Sequence, residues 1–199
     1  MASQVEICNR AATKLGAGRI VSMSDGNKVA RAFSAIWETV RRAELRRRSW
    51  AFALARASLP ALADVPAWGY ALAYQLPSDY LRLVQANDYF ITPSLTDYRD
   101  SDDAPYAIEG SKILTDFAAP LKIRYVRDIT DPGAFDACFV EVLASKLAYE
   151  ACYDITQSNQ GREAMAQDYK AAVSDAVRAG AVERPPQGLP DDSWLLGRL

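Results

Sequence analysis

Five arginines and one glutamate crowd into the eight residues Arg41-Arg42-Ala43-Glu44-Leu45-Arg46-Arg47-Arg48. A guanidinium stays charged at every working pH and offers five N–H donors in a rigid fork, which suits carboxylates and phosphates equally. Three readings of the cluster stay open. Cations at a helix C-terminus offset the helix dipole by about 0.3 to 1 kcal/mol and need only water around them. The cluster can instead grip the acidic stretch of a neighbouring copy, where Asp97, Asp100, Asp102 and Asp103 lie close together. A chain that carries both signs has what a head-to-tail ring requires. Nucleic acid is the third partner. The 23 Lys+Arg against 25 Asp+Glu leave a net charge of -2, so any polyanion binding is local to this patch.

Other chemistry is narrower. The chain has no histidine, which removes the commonest general base and metal ligand and with it triads, zincins and two-histidine iron sites. Among 25 acidic residues some pair falls close by chance, Asp128 with Asp131 being the clearest, but Asp131 before Pro132 reads better as a helix cap. Leu15-Gly16-Ala17-Gly18-Arg19 follows a helix rather than a strand, and Val21 stands where a dinucleotide loop needs its third glycine. Cys8, Cys138 and Cys152 form no C-x-x-C and suit burial in a reducing compartment. We expect no catalytic residue, no metal and no cofactor. No apolar run approaches the ~18 residues of a membrane span, and MASQVEICNR turns polar too soon for a signal peptide, so the expected setting is cytosol-like, with no membrane partner.

The elements that position these residues follow from spacing. Ser3 to Glu6 forms a capping box, with Val5, Cys8, Ala12 and Leu15 at helical spacing and Gly16 and Gly18 as stops. After the turn Ser24–Asn27, a second helix carries Val29, Phe33, Ile36, Trp37 and Val40 on one stripe and runs to about Arg48. Trp50, Phe52, Leu54 and Arg56 alternate with alanines, which predicts a strand; Tyr70 to Leu76 predicts another, with Tyr80 to Gln85 as its antiparallel return. The aromatics Trp50, Phe52, Trp68, Tyr70, Tyr74 and Tyr80 read as a half-buried sheet packed on helices rather than a sugar or base platform. Gly110-Ser111 joins a hairpin that pairs Glu109 with Lys112 and Ile108 with Ile113, and Leu121, Ile123 and Tyr125 share one face of a last strand. Asp131-Pro132 opens a third helix bearing Phe135, Cys138, Phe139, Val142, Leu143, Leu147 and Ala151. A break at Thr156–Asn159 opens a fourth, with Met165, Tyr169, Ala172, Val173, Ala176 and Val177 on one side and Gly180 as its cap. The Pro-rich end carries the apolar Trp194, Leu195 and Leu196, which suit an anchor on another chain.

The expected fold class is therefore α+β: a four-helix bundle of two N-terminal and two C-terminal helices, with an inserted antiparallel β section and an extended C-terminal arm. The expected divisions are 1–48 for the N-terminal helices, 49–127 for the β-rich section, 128–180 for the C-terminal helices and 181–199 for the arm. With 199 residues, half of them hydrophobic, the chain can bury about 70% of its unfolded surface without disulfides or metals.

Several stretches carry a family likeness: Trp50-Ala51-Phe52-Ala53, Pro66-Ala67-Trp68-Gly69-Tyr70, Tyr74-Gln75-Leu76-Pro77-Ser78-Asp79-Tyr80-Leu81-Arg82 and Glu109-Gly110-Ser111-Lys112-Ile113-Leu114-Thr115-Asp116. With Thr130-Asp131-Pro132, Phe135-Asp136, Phe139 and the Leu-Ala repeats of the third helix, they resemble the phage tail tubular protein A family over roughly residues 3 to 180. The likeness departs at Arg48-Ser49, where the family often has His-Pro, and it does not extend to residues 185–199. It implies a structural virion protein, a head-to-tail adaptor of short-tailed phages. Such a protein is made in the host cytoplasm and forms a dodecameric ring between the portal protein and the tail nozzle, lining the channel through which phage DNA leaves without sequence-specific binding. Subunit or portal contacts would then fall to Arg41, Arg42, Arg46, Arg47, Arg48 and the four aspartates. The alternative is a virion-associated cell-wall or capsule glycan hydrolase, for which an acid pair suffices.

Overall fold

The computed structural model describes residues 2–87, 89–90 and 105–182. The chain is mixed α and β. Four helices, α1 (Gln4–Lys14), α2 (Lys28–Arg47), α3 (Ala137–Thr156) and α4 (Asn159–Val182), flank seven strands: β1 (Leu54–Leu59), β2 (Leu72–Gln75), β3 (Tyr80–Ala86), β4 (Tyr89–Phe90), β5 (Tyr106–Glu109), β6 (Lys112–Thr115) and β7 (Leu121–Arg127).

Local chemistry sets most helix limits. The Ser3 hydroxyl accepts from the Glu6 N–H while the Glu6 carboxylate accepts from the Ser3 N–H, the reciprocal cap expected of this spacing. Gly16, at φ +65°, turns the chain out of α1, a conformation that costs a side-chain-bearing residue energy. Asn9 then holds Ile20 by both its backbone N–H and its carbonyl, tying the connection back onto α1. Asn27 caps α2 by accepting from the Ala30 N–H at 2.7 Å.

Two of the anticipated limits move. Asp131 caps only a single 3-10 turn, Pro132–Ala134, and α3 is capped instead by Asp136, which accepts from the N–H groups of Cys138 and Phe139. Between them Phe135 is extended so that its ring meets Phe52 at 6.0 Å and Phe139 at 5.0 Å. Gly180 is no cap: α4 continues to Val182, because a glycine between Ala179 and Ala181 costs a helix only about 1 kcal/mol.

The strands form two antiparallel sheets, β1-β7-β3-β4 and β2-β6-β5. The hairpin β5–β6 has the expected register, Ile108 opposite Ile113 and Glu109 opposite Lys112, turning at Gly110 with φ +57°. Leu121, Ile123 and Tyr125 are buried along β7, also as expected. The run from Trp50 is not one strand: Ala51–Ala53 is a 3-10 turn, and β1 starts only at Leu54. Trp50 and Phe52 each put a ring 5.1 Å from that of Phe139, so packing on α3 overrides the alternation with alanine. Nor does β3 return along β2. Strand β2 pairs with β6 and β3 with β7, because the Tyr74 hydroxyl donates to the Phe117 carbonyl and Asp116 accepts from the Ala71 N–H, fixing β2 to the residues beyond β6.

Two apolar cores result. The helical core centres on α3, whose Phe139, Val142, Leu143 and Leu147 are fully buried and which packs against α1, α2 and α4. The second core holds Leu59, Leu83, Ile123 and Tyr125 of the four-stranded sheet against Tyr74 and Ile113 of the three-stranded one. Strand β7 serves both, turning Val126 to the helices and Ile123 and Tyr125 away from them. The four-stranded sheet is thus a middle layer, and the end of α2 abuts it. Among the aromatics expected in the core, Trp68, 86% exposed, and Tyr70, half-buried, are the exceptions: they flank Gly69 at φ +86° in the β1–β2 loop, outside any strand and outside both cores.

Candidate assembly surface at the end of the second helix

The arginine run does not act as one patch. Arg41 is only 1% exposed. One amino group donates to the Asp128 carboxylate and the Ile129 carbonyl, the other to Glu38 at 2.7 Å. Burial works against the charge, but the hydrogen bonds and charges of Asp128 and Glu38 outweigh it and hold the guanidinium above its ordinary pKa. Arg41 is therefore not available to a partner, correcting its place among the expected contact residues. The helical period explains why: the buried stripe Phe33, Trp37, Val40 continues onto Arg41, Glu44 and Leu45 as α2 passes β7.

Its neighbours differ. Arg42 is exposed and reaches the other Asp128 oxygen at 3.2 Å. Arg46 is an exposed residue whose guanidinium donates to the Leu81 carbonyl. Arg47 donates to the Tyr169 hydroxyl at 2.7 Å and lies 5.8 Å from the centre of that ring. Arg48 is half-buried and adopts the extended backbone that ends the helix. Asp97, Asp100, Asp102 and Asp103 lie outside the described residues, as do Trp194, Leu195, Leu196 and the arm beyond Val182.

Sequence reasoning missed four residues of this region. Glu44, 3% exposed, accepts the Tyr169 hydroxyl at 2.8 Å, and its backbone carbonyl accepts the Trp50 indole N–H at 2.9 Å. Burial, reinforced by the Glu44 carboxylate, pushes the Tyr169 hydroxyl up to about 12. Arg82 donates to the Ser49 hydroxyl at 2.7 Å; burial and then the nearby Arg46 charge pull its pKa down. Asp128 is the shared partner of Arg41 and Arg42, while Asp131 holds its turn, so both members of the suspected acid pair are engaged in the fold. Position in the helical stripe was a usable signal for Glu44. Nothing local announced Asp128, Tyr169 or Arg82, which arrive from elements distant in sequence.

What remains at the surface is a cationic edge, the heads of Arg42, Arg46 and Arg47, standing where α2 meets the start of β3 and the middle of α4. It offers N–H forks that suit an anionic group. No helix among the described residues is long and apolar enough to cross a membrane. No protein-family model matches the chain, and no curated protein matches it.

Proposed function

We propose that the chain is a structural assembly protein: a head-to-tail adaptor of the tail tubular protein A kind, acting by permanent shape and charge matching without making or breaking bonds. In this reading the four helices form a bundle around α3, with the β section inserted between α2 and α3. Twelve copies close into a ring in the virion that receives the portal protein on one side and the tail nozzle on the other, around the exiting DNA. The observation that carries the reading is the division of the arginine run. Arg41 secures the fold, and the fixed helix end then presents Arg42, Arg46 and Arg47 outward as a cationic edge of set geometry. Support also comes from the element order and from the residues that resemble the family.

Mass photometry of the purified chain, alone and with portal protein, tests this. A closed ring of uniform mass is expected, and Arg42→Glu combined with Arg46→Glu should dissolve it while leaving the circular dichroism spectrum unchanged. A chain that stays monomeric beside the portal at every concentration would overturn the reading.

A further inference from the structure

Helices α2 and α3 run antiparallel and leave a trough between them. At one end Lys28, Arg31 and Asp154 surround a cavity of about 440 Å³ over Ala32 and Ala35. At the other, Ile36, Val40 and Ala43 face Lys146 across a cavity of about 370 Å³. Ala35 borders both, so the two cavities adjoin along the same side of α2. Lys146 is already paired with Glu150 at 2.6 Å, whereas neither Lys28 nor Arg31 has an ion-pair partner among the described residues. The trough therefore offers a mouth with Lys28 and Arg31 beside one carboxylate, Asp154, followed by a floor of Ile36, Val40 and Ala43 edged by Thr39 and by the Lys146–Glu150 pair.

The segment after Val182 has the complementary order: Asp191-Asp192, then Ser193, then Trp194-Leu195-Leu196. The spacings also agree. From Arg31 to Ile36 and Val40 the helix rises about 7.5 and 13.5 Å at 1.5 Å per residue. An extended chain covers about 7 Å from Asp192 to Trp194 and about 13 Å from Asp192 to Leu196 at 3.3 Å per residue.

The same arithmetic decides which copy supplies the segment. Helix α4 runs antiparallel to α3, hence parallel to α2, and Tyr169 stands level with Glu44, to which it is bonded. Val182 then lies about 20 Å beyond that level in one direction, and Arg31 about 20 Å in the other. Ten residues from Val182 to Asp192 span about 33 Å when extended, less across Pro185, Pro186 and Pro190, and must also cross from α4 to the trough. The chain's own acidic pair falls short of the ~40 Å required.

We infer that the trough between α2 and α3 seats residues 191–196 of a second copy, with Asp191 and Asp192 at Lys28 and Arg31, and Trp194 and Leu196 over Ile36 and Val40. This rests on the self-assembly reading above and supplies one contact between adjacent copies.

Disulfide trapping in full-length chains tests it. A tagged chain carrying Ala35→Cys is mixed with an untagged chain carrying Leu195→Cys and oxidised with copper phenanthroline. Each variant mixed with unsubstituted chain controls for the native thiols, of which Cys8 and Cys152 are buried. A two-chain product that needs both substitutions is expected. Asp191→Lys with Asp192→Lys in the donor should lower its yield at least tenfold, and Lys28→Asp with Arg31→Asp in the acceptor should restore it. Mass photometry of the same samples separates the two ideas. Rings without the cross-link, or a link formed only within a doubly substituted chain, would overturn this seat and leave the ring reading standing. A cross-link between copies that never close would keep the seat and overturn the ring. Neither link nor ring would overturn both.

Discussion

Arg41 and Arg42 are adjacent in sequence and share one carboxylate, that of Asp128, yet they belong to two different regions of the molecule. The inner guanidinium is dry: Arg41 keeps 1% of its surface exposed while meeting Asp128, the Ile129 carbonyl and the solvent-facing Glu38. The outer region is wet: the Arg42 side chain is 58% exposed and makes one ion pair among the described residues. Removing a guanidinium from water costs several kcal/mol, offset only when its donors find partners of good geometry. In water the same pair contributes about 0 to 1 kcal/mol. The difference teaches that desolvation, not charge, assigns these arginines their work. The inner ones fix where the end of α2 sits, and the outer ones are left for a partner.

The strongest way to break that contrast is Arg41→Leu. It leaves the Ile129 carbonyl without that donor and Asp128 with only the solvated Arg42, and we expect a loss of about 2 to 4 kcal/mol, read as a lower urea midpoint by circular dichroism. Arg41→Lys should also destabilise, because one ammonium cannot reproduce a fork that reaches Asp128, Ile129 and Glu38 together. A loss below about 1 kcal/mol for Arg41→Leu would place Arg41 with the surface pairs instead.

Tyr169→Phe is next. The hydroxyl both donates to Glu44 and accepts from Arg47, so its removal strips the buried Glu44 carboxylate of a partner and should cost about 1.5 to 3 kcal/mol. The same group gives the chain an alkaline limit. The folded state holds the Tyr169 hydroxyl near 12 against an ordinary value of 10, and burial holds the Cys8 thiol near 12 against 9. Both are raised acids. Their contribution is complete below the ordinary values and is lost as pH climbs through 12, when deprotonation favours the unfolded chain. Between pH 10 and 12 the stability of the native chain should fall, and that of Tyr169→Phe should fall less steeply; parallel slopes in thermal melts would exclude Tyr169 as a source.

Local signals made part of this legible. A capping box and Gly110-Ser111 each determine their own few residues, and each appears where its chemistry requires, whereas Asn27, read only as the end of a turn, also caps α2. Signals that depend on distant partners did not survive. The alternation from Trp50 to Ala57 fits a strand until Phe139 and Phe135 claim the rings. The alternating apolar positions of β2 fit more than one neighbour, and Asp116 and Phe117 decide the matter from 45 and 43 residues away. The arginine cluster was visible as a cluster, but its division was not, since Asp128, Tyr169 and Leu81 lie far from it in the chain.

The smallest effect on folding is expected from Arg42→Ala combined with Arg46→Ala, and it sharpens the contrast most. Arg42 gives up one solvated pair with Asp128, which keeps Arg41, and Arg46 gives up its bond to the Leu81 carbonyl. The stability change should stay within about 1 kcal/mol, several-fold below Arg41→Leu. Assembly should respond in the opposite order, because a partner anion meets the outer heads and never the buried one. The ring population should therefore fall in the double variant at unchanged melting temperature. In the native chain it should fall as salt rises from about 0.1 to about 1 M, where the screening length shrinks from about 10 to about 3 Å. Sedimentation velocity at both salt concentrations checks this. If the double variant assembles as the native chain does, with the same response to salt, the outer arginines are solvated heads at a helix end, and ring contacts must come from another face such as the α2–α3 trough.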